Sequence, residues 1–446
     1  MRETRVAQIS IFEYFSKHEQ GQKLRALSEL LDQHTHILSL IEHDIPITGA
    51  VLSGRNGLSL ESIFRCLLLK QILRVSFEQL AFHLSDSLSY RSFARLSATQ
   101  TPCRSTLQSL IRQITPKTLK AIDHGLLKQW HEQRVFSIDQ LRIDSTVIAS
   151  NIPPPSDSQL LNDGVRVLSR LLAKSQTVTG YKIRFTDQRK ASKSLAFAIF
   201  NAKKVTKDKL YPKLLRMAQV VLNQVDRALI GVESQASISP EAHTWCDKIK
   251  HYQSLLKQVM DQTDRRVIQN QKVPSSEKLV SIFEPHTDVI VKGYRDVQYG
   301  HKVNLATEKH GFITGFRIEK GNPSDKELYL PVLDEHQKLY GKLPLKTIAD
   351  GGYASQANVR EGREKGVKAV AFHKPVGLTV QAMGLKHKTL TKLRHFRAGV
   401  EGNISELKRA FGATKAQWKG LDGFESFVWS SVLAYNLVHR IRLKPG

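Results

Sequence analysis

The spacing of apolar positions changes character several times along the chain. Through residue 137 it is helical. Apolar residues recur every three to four positions over 58–70, where Ser59 is a natural N-cap, then over 76–84, 89–93 and 105–114. From 140 to 151 the pattern switches to strand alternation. It stops at Ile152-Pro153-Pro154-Pro155, because three prolines remove donors and fix φ. Helical spacing returns over 158–174, 192–204, 211–230 and 241–270. Strand patterns resume at 278–283, 289–291, 301–306 and 311–318. A turn at Gly321-Asn322-Pro323-Ser324-Asp325 leads to a helix over 326–340 and a strand ending on Asp350. A helix over 355–365, a short strand at 367–372, a basic loop over 374–395 and closing helices complete the pattern.

The pattern predicts an α/β protein: a mixed sheet core interrupted once by a helical insertion and preceded by a helical domain. The expected divisions are 1–137 for the N-terminal helical domain and 138–155 for the first core strand. The insertion then covers 156–277, and the remainder of the core with the C-terminal helices covers 278–446. The N-terminal helices have polar turns and regularly spaced basic residues. That suits a helix-turn-helix DNA reader or a dimerisation module, and equally any small helical bundle.

Charge narrows the partners. The chain has 446 residues and a formal net charge of +26, with a sequence pI near 9.9. A polyanion partner is implied, and charge this widely spread is not what an isolated membrane patch needs. The excess is uneven. Residues 182–216 carry 11 Lys and Arg against 2 Asp and Glu, and residues 360–419 carry 14 against 4, whereas 1–137 carry only 17 against 12. Lys182, Arg184, Arg189, Lys190, Lys203 and Lys204 in the first run are candidate phosphate contacts. A single charge run is ordinarily just a solvated face, so it is the pair of runs that points to nucleic acid. Cys66, Cys103 and Cys246 are scattered without a C-x-x-C partner, which fits a reducing compartment and excludes a disulfide framework or zinc knuckle. No apolar run approaches 18 residues and the N-terminus lacks an apolar leader core. The expected location is cytoplasmic, with the nucleoid, and not in a membrane.

Three acids stand where chemistry is expected. Asp144 closes the first strand and Asp350 a later one, while Glu401 lies in a helix far downstream. Taken singly, Asp144 reads as a turn or cap residue, Asp350 before Gly351-Gly352 as a tight turn, and Glu401 as a surface acid paired with Arg397. Together, carboxylates at two strand ends and on one helix are able to hold two divalent ions, the apparatus for in-line displacement at a phosphodiester. Arg397 and Lys408 lie four residues before and seven after Glu401 on the same helical face. Glu406, the competing acid, is about 500° around the helix from Glu401. No Walker-type loop and no zinc-ligand spacing occurs.

The order of these strings resembles the DDE transposases of bacterial insertion sequences, in particular the ISNCY type. The resemblance rests on Arg142-Ile143-Asp144-Ser145-Thr146, Ser281-Ile282-Phe283-Glu284-Pro285-His286, Tyr299-Gly300-His301-Lys302-Val303-Asn304, Gly321-Asn322-Pro323-Ser324-Asp325, Asp350-Gly351-Gly352-Tyr353 and the Glu401 helix. It implies an RNase H-like core with Asp144, Asp350 and Glu401 as catalytic ligands of two Mg²⁺ or Mn²⁺ ions. It also implies strand cleavage at transposon ends and transfer of the freed 3′-hydroxyl into target DNA. Partners would be double-stranded terminal repeats and target DNA, with a homodimer or higher oligomer formed on DNA. The Y-x2-R-x3-E-x6-K signature falls on Arg394, Arg397, Glu401 and Lys408, with arginine replacing tyrosine at the first position. Arg394, Arg397, Lys408, Arg409, His301 and Lys302 join the expected DNA contacts, although a strand histidine is more often structural. Two other readings stay open: a metal-dependent nuclease or resolvase without strand transfer, and a DNA-binding regulator descended from a transposase.

Overall fold

The computed structural model describes residues 18–45, 57–97, 99–235, 239–292, 296–374 and 377–443. Among the described residues seven helices come first: α1 (Glu19–Gln33), α2 (Ile37–Glu42), α3 (Leu60–Leu73), α4 (Phe77–Asp86), α5 (Leu88–Phe93), α6 (Arg104–Ile111) and α7 (Pro116–Glu132). Strand β1 (Gln140–Ala149) follows. A helical block then comprises α8 (Asp157–Ala173), α9 (Ser175–Thr179), α10 (Arg189–Asn201), α11 (Lys204–Glu233) and α12 (Pro240–Thr263). Strands β2 (Asp288–Lys292), β3 (Asp296–Thr307) and β4 (Ile313–Ile318) lead to α13 (Asp325–Tyr340) and β5 (Lys346–Ala349). The chain finishes with α14 (Gln356–Glu364), β6 (Ala369–Phe372), α15 (His387–Ala410) and α16 (Leu421–Arg442).

Local chemistry explains many of the starts. Ser59 caps α3 through the Ser62 N–H, and Ser76 with Gln79 forms a reciprocal capping box on α4. Thr115-Pro116 opens α7 and Ser239-Pro240 opens α12, each with a hydroxyl cap and proline in the first turn.

The six strands form one mixed sheet in the order β2-β3-β1-β5-β6, with β4 also on β3. β1 pairs parallel with β5 (Gln140 opposite Lys346, Ile143 opposite Ala349), and β5 pairs parallel with β6. β2–β3 and β3–β4 are antiparallel. Parallel pairing requires crossovers, and α13 and α14 precede β5 and β6. A mixed sheet with one helical interruption matches the RNase H-like class read from the sequence.

Two compact units emerge: residues 1–149 with 301–446, and residues 150–300. In the first, the N-terminal helices share a single apolar core with the sheet and the C-terminal helices. Residue 137, the expected edge of a helical domain, therefore falls inside this unit. Helix α16 lies in the middle of that core, buried almost continuously from Phe424 to Val438 and packed on α3 and α7. In the second unit, α8 is the hub against which α10, α11 and α12 pack, around Leu161, Val165, Leu168, Leu214, Val225 and Leu256.

Two expected elements differ. Residues 278–283 form no strand. The Gln262 side chain accepts from the Leu279 N–H (2.9 Å) and donates to the Leu279 carbonyl (3.1 Å), so a glutamine amide takes the place of a neighbouring strand. The basic loop over 374–395 ends early, because α15 begins at His387. Leu390, Leu393, Arg397 and Val400 continue one buried stripe that the surrounding lysines obscure. Smaller shifts affect the insertion, where α11 starts at Lys204 and continues through Pro212, and α12 gives way at Thr263 to a π-helical turn.

A buried polar tie joins α16 to its surroundings. The Asn436 side-chain carbonyl accepts from the Ile313 N–H, and its amide donates to the Ile313 carbonyl and to Asp123 on α7. Burial pushes the Asp123 carboxyl up to about 7, against the partial relief of the Asn436 hydrogen bond. The folded state thus holds a proton that the unfolded chain releases near its ordinary value of 3.8. Asp123 contributes stability fully below the unfolded value and loses it as pH rises to about 7, since stability falls with pH wherever the native state binds more protons. Asp123→Asn keeps the acceptor for Asn436 and should flatten this part of the stability–pH curve, giving a higher denaturation midpoint at pH 8. Denaturant titrations of both proteins at pH 5 and pH 8 check it; parallel curves would show that Asp123 does not carry the slope.

Candidate active site

The site is built from two strands and a helix of the first unit. Asp144 is the fifth residue of β1, Asp350 follows β5 directly, and β1 and β5 are parallel neighbours. Asp144 does not close its strand as expected, since β1 runs on to Ala149; it meets Asp350 because the parallel register ends at Ile143 opposite Ala349, which leaves the next residue of each strand side by side. Glu401 is carried by α15.

Arg142 places that helix. Its side chain leaves β1 two residues before Asp144, is buried, and donates to Thr307 Oγ1 on β3 (2.8 Å). It also reaches α15, donating to the Phe396 carbonyl (3.1 Å) and to Asn403 Oδ1 (2.8 Å), with its guanidinium 4.9 Å from the Phe396 ring centre. Burial lowers its pKa, which leaves an arginine charged at any physiological pH. Gly399 permits the approach: a Cβ there would come within 2.0 Å of the Arg142 guanidinium.

With α15 held in this way, Arg397 points at the acids. Its Nη2 lies 3.1 Å from Asp144 Oδ2 and 3.1 Å from Asp350 Oδ1, and its Nη1 is 3.0 Å from Glu401 Oε1. All three predicted carboxylates therefore meet one guanidinium. Arg397 and Asp144 are nearly covered (9% and 15% exposed side chains), whereas Asp350 and Glu401 open to solvent at 46% and 69%. The Arg397 Nε is buried without a hydrogen-bond partner.

Glycines allow the Asp350 turn. A Cβ at Gly351 would lie 2.6 Å from the Lys374 carbonyl oxygen, and one at Gly352 would lie 2.8 Å from Asp325 Oδ2. Both contacts are shorter than a side chain tolerates, so Gly351-Gly352 is a close-packing requirement as well as a turn signal.

Two residues join the site that the sequence motifs do not mark as ligands. Asp325, first residue of α13, accepts from Ser145 Oγ (3.0 Å) and pairs with the Lys302 ammonium (2.6 Å). Ser145 follows Asp144 and its N–H donates to Asp144 Oδ1, so Asp325 braces the Asp144 backbone. The Gly-Asn-Pro-Ser-Asp325 string is the available signal, but it reads as a turn. His373, just past β6, has its imidazole pKa lowered by partial burial and by the nearby cations Arg397, Lys374 and Arg394. Nothing in its local sequence marks it.

The expected DNA contacts divide. Arg394 and Arg409 are exposed on α15 and Lys408 is half-buried. Lys182, Arg184, Lys190, Lys203 and Lys204 are exposed in the second unit, where Arg189 pairs with Asp187. His301 and Lys302 are corrected: both are buried, and Lys302 spends its ammonium on Asp325 and the Pro323 carbonyl, so neither faces a DNA backbone. Arg397 is likewise committed to the acids in this state. Glu406 pairs with Arg442 and takes no part in the cluster.

Two family matches decide the class. The transposase DDE domain matches residues 260–437, and a transposase domain, DUF772, matches residues 12–113. The chain belongs to the DDE transposases. The DDE domain match takes in Asp350 and Glu401 but not Asp144, which enters the site through geometry, by way of Arg397. No curated protein and no solved structure shows significant similarity to this transposase. No helix among the described residues is long and apolar enough to cross a membrane.

DDE transposases generally use divalent metal ions. Among the described residues, no three His, Cys, Asp or Glu side chains are gathered closely enough to hold one as they stand. The donor chemistry nevertheless fits. Three carboxylates converge on one positive centre, and hard oxygen donors are what Mg²⁺ and Mn²⁺ take. The fit carries a condition: Arg397 must yield Asp144 and Asp350. Removing the guanidinium leaves a nearly buried carboxylate without its cation. That costs about 3–5 kcal/mol in a fully buried pair and less where partners reach solvent. Arg397→Met should therefore lower the melting temperature in EDTA, and millimolar Mg²⁺ should recover more of it than it adds to wild type. Equal Mg²⁺ gains in the two proteins, measured by thermal shift, would show that the guanidinium and the ion do not compete.

Proposed function

We propose that this transposase cleaves a DNA strand at transposon ends and transfers the freed 3′-hydroxyl to target DNA, using Asp144, Asp350 and Glu401. The observation that carries this reading is the convergence of the three carboxylates, from two adjacent parallel strands and one helix, on Arg397. Divalent ions bound by these carboxylates would supply Lewis acidity and an activated water.

The protein's own contribution is positioning. Arg142 fixes the helix that carries Glu401, and the Lys302–Asp325–Ser145 chain fixes the strand that carries Asp144. The exposed faces of Asp350 and Glu401 leave an approach for a phosphodiester. An acidic cluster repels a phosphate unless cations surround it, and the exposed side chains of Arg394, Arg409 and Lys374 are the candidates for that role. Neither a nucleophilic serine nor a tyrosine is needed, since the attacking group is water or the DNA 3′-hydroxyl. Terminal repeats and target duplex are the proposed substrates, which places the protein with the nucleoid, as a dimer or larger assembly on DNA. The ISNCY-type assignment rests on the motif order alone.

Asp144→Asn, Asp350→Asn and Glu401→Gln should each reduce nicking by at least about a thousandfold while DNA affinity stays within about threefold, because carboxylate loss removes transition-state stabilisation and not phosphate contacts. Glu406→Gln is the control. A cleavage-and-joining assay on DNA carrying the element's terminal repeats reads this directly. Normal cleavage by Glu401→Gln would reassign the third ligand, and cleavage without joining would favour a nuclease or resolvase.

The second-unit cations give an independent test. Neutralising Lys182, Arg184, Lys190, Lys203 and Lys204 together should reduce the slope of log affinity against log salt by up to about 4.5, since each phosphate that a cation neutralises on duplex DNA contributes roughly 0.9 to that slope. An unchanged slope in a folded protein would leave this run a solvated face.

A further inference from the structure

The helical unit of residues 150–300 contains a groove of about 600 Å³ whose walls are α8 and α10. From α8 it takes Gln159, Asn162, Arg166 and Arg170, spaced at three to four residues along one face. From α10 come Arg189, Lys190, Lys193, Phe197 and Phe200. Five cations thus line the groove with one acid, Asp187, which is paired with Arg189, while Arg166 pairs with Asp163 behind it. Among the described residues Arg170, Lys190 and Lys193 make no ion pair within the chain.

The phenylalanines are the unexpected part. Ser192, Ala196 and Ile199 form the buried face of α10, and Phe197 and Phe200 point away from it, 69% and 73% exposed. Folding stability does not account for two large rings left in water one helical turn apart. A third ring, Phe283, lies under the Arg166 guanidinium at 5.4 Å and is itself 42% exposed.

Cations alone would suit any duplex backbone, and rings alone would suit an apolar partner. The combination of a cationic groove with solvent-facing aromatic rings matches unpaired nucleotides, whose phosphates take the charges and whose bases stack on the rings. A second copy of this chain is a poor occupant, because it brings its own formal charge of +26 to a groove that is already cationic. A small apolar ligand leaves Arg170, Lys190 and Lys193 without a counter-charge.

We infer that the α8–α10 groove binds single-stranded DNA, with Phe197 and Phe200 as stacking platforms for unpaired bases. The inference rests on the transposase reading and adds a strand-handling site to it, built from residues other than the carboxylate cluster. Both rings lie on the surface, so replacing them does not disturb the core of the unit.

The test uses the full chain and fluorescence anisotropy with two probes, a labelled oligothymidylate of about twelve nucleotides and a duplex of equal length. Phe197→Ala/Phe200→Ala should weaken the oligothymidylate at least about tenfold, as expected for loss of one stacked base or more, and leave the duplex within about twofold. Phe197→Trp/Phe200→Trp should restore single-strand binding, with tryptophan fluorescence quenched on addition of the oligothymidylate. Equal weakening of both probes, or no weakening of either, overturns the stacking site. So does a wild-type protein that binds duplex but not oligothymidylate. In each of these cases duplex binding and terminal-repeat cleavage by the wild type would leave the transposase reading intact, whereas loss of duplex binding and cleavage in the wild type itself would count against that reading.

Discussion

A single buried arginine holds the chemistry together. Arg142 leaves the central strand and bonds both to another strand and to the helix carrying Glu401. Its charge is solvated by Thr307, the Phe396 carbonyl and Asn403 in place of water, and by the face of the Phe396 ring. A buried guanidinium of this kind adds little net stability, because its desolvation offsets most of the attraction. Its value is geometric. Five donors in a rigid plane allow only a narrow range of helix positions, and Gly399 removes the Cβ that would block the approach.

Because Arg142 sets α15, a second arginine on that helix falls among three acids from different parts of the chain. Arg397 neutralises a cluster whose members would otherwise repel one another. A site suited to divalent cations carries this difficulty whenever the ions are absent: the carboxylates must stay close, yet their charges oppose it. An arginine built into the helix supplies a resident counter-charge, held to the acids by three ion pairs of 3.0–3.1 Å. The surrounding braces do not depend on it. Asp325 ties Ser145 and Lys302 together, and Gly351-Gly352 fits against His373, Lys374 and Asp325 with no room to spare.

The division into two units separates demands that conflict. The unit with the acids needs a rigid, apolar core, and α16 threads through it with little exposed surface. The helical unit carries a dense run of surface charge and the exposed aromatics. Each unit has its own core, so charge and ring exposure in one do not draw on the packing of the other.

Much of the fold is legible from local spacing. Period-two and period-3.6 patterns locate β1, β3, β4, α13 and α14 to within a few residues, because they report which local positions are buried. Asp144, Asp350 and Glu401 stand out by residue type and order, one inside the first strand, one just after a later strand and one on a late helix. The misreadings have a common origin. The segment 278–283 has strand composition, yet its backbone partner is a glutamine side chain from α12, which no local pattern reveals. The first turns of α15 resemble a loop because lysines crowd the sequence there, while burial acts only on Leu390 and Leu393. His301 and Lys302 have the character of DNA contacts, but the fold buries them, with Lys302 against Asp325. By itself, then, the sequence determined the elements, the charge and the three acids, since these depend on residue type and local spacing. Only tertiary structure decided that one arginine clamps the helix, that another stands among the acids, and that two phenylalanines face water beside five cations. Those outcomes depend on which distant side chains meet, and spacing along a chain carries no information about that.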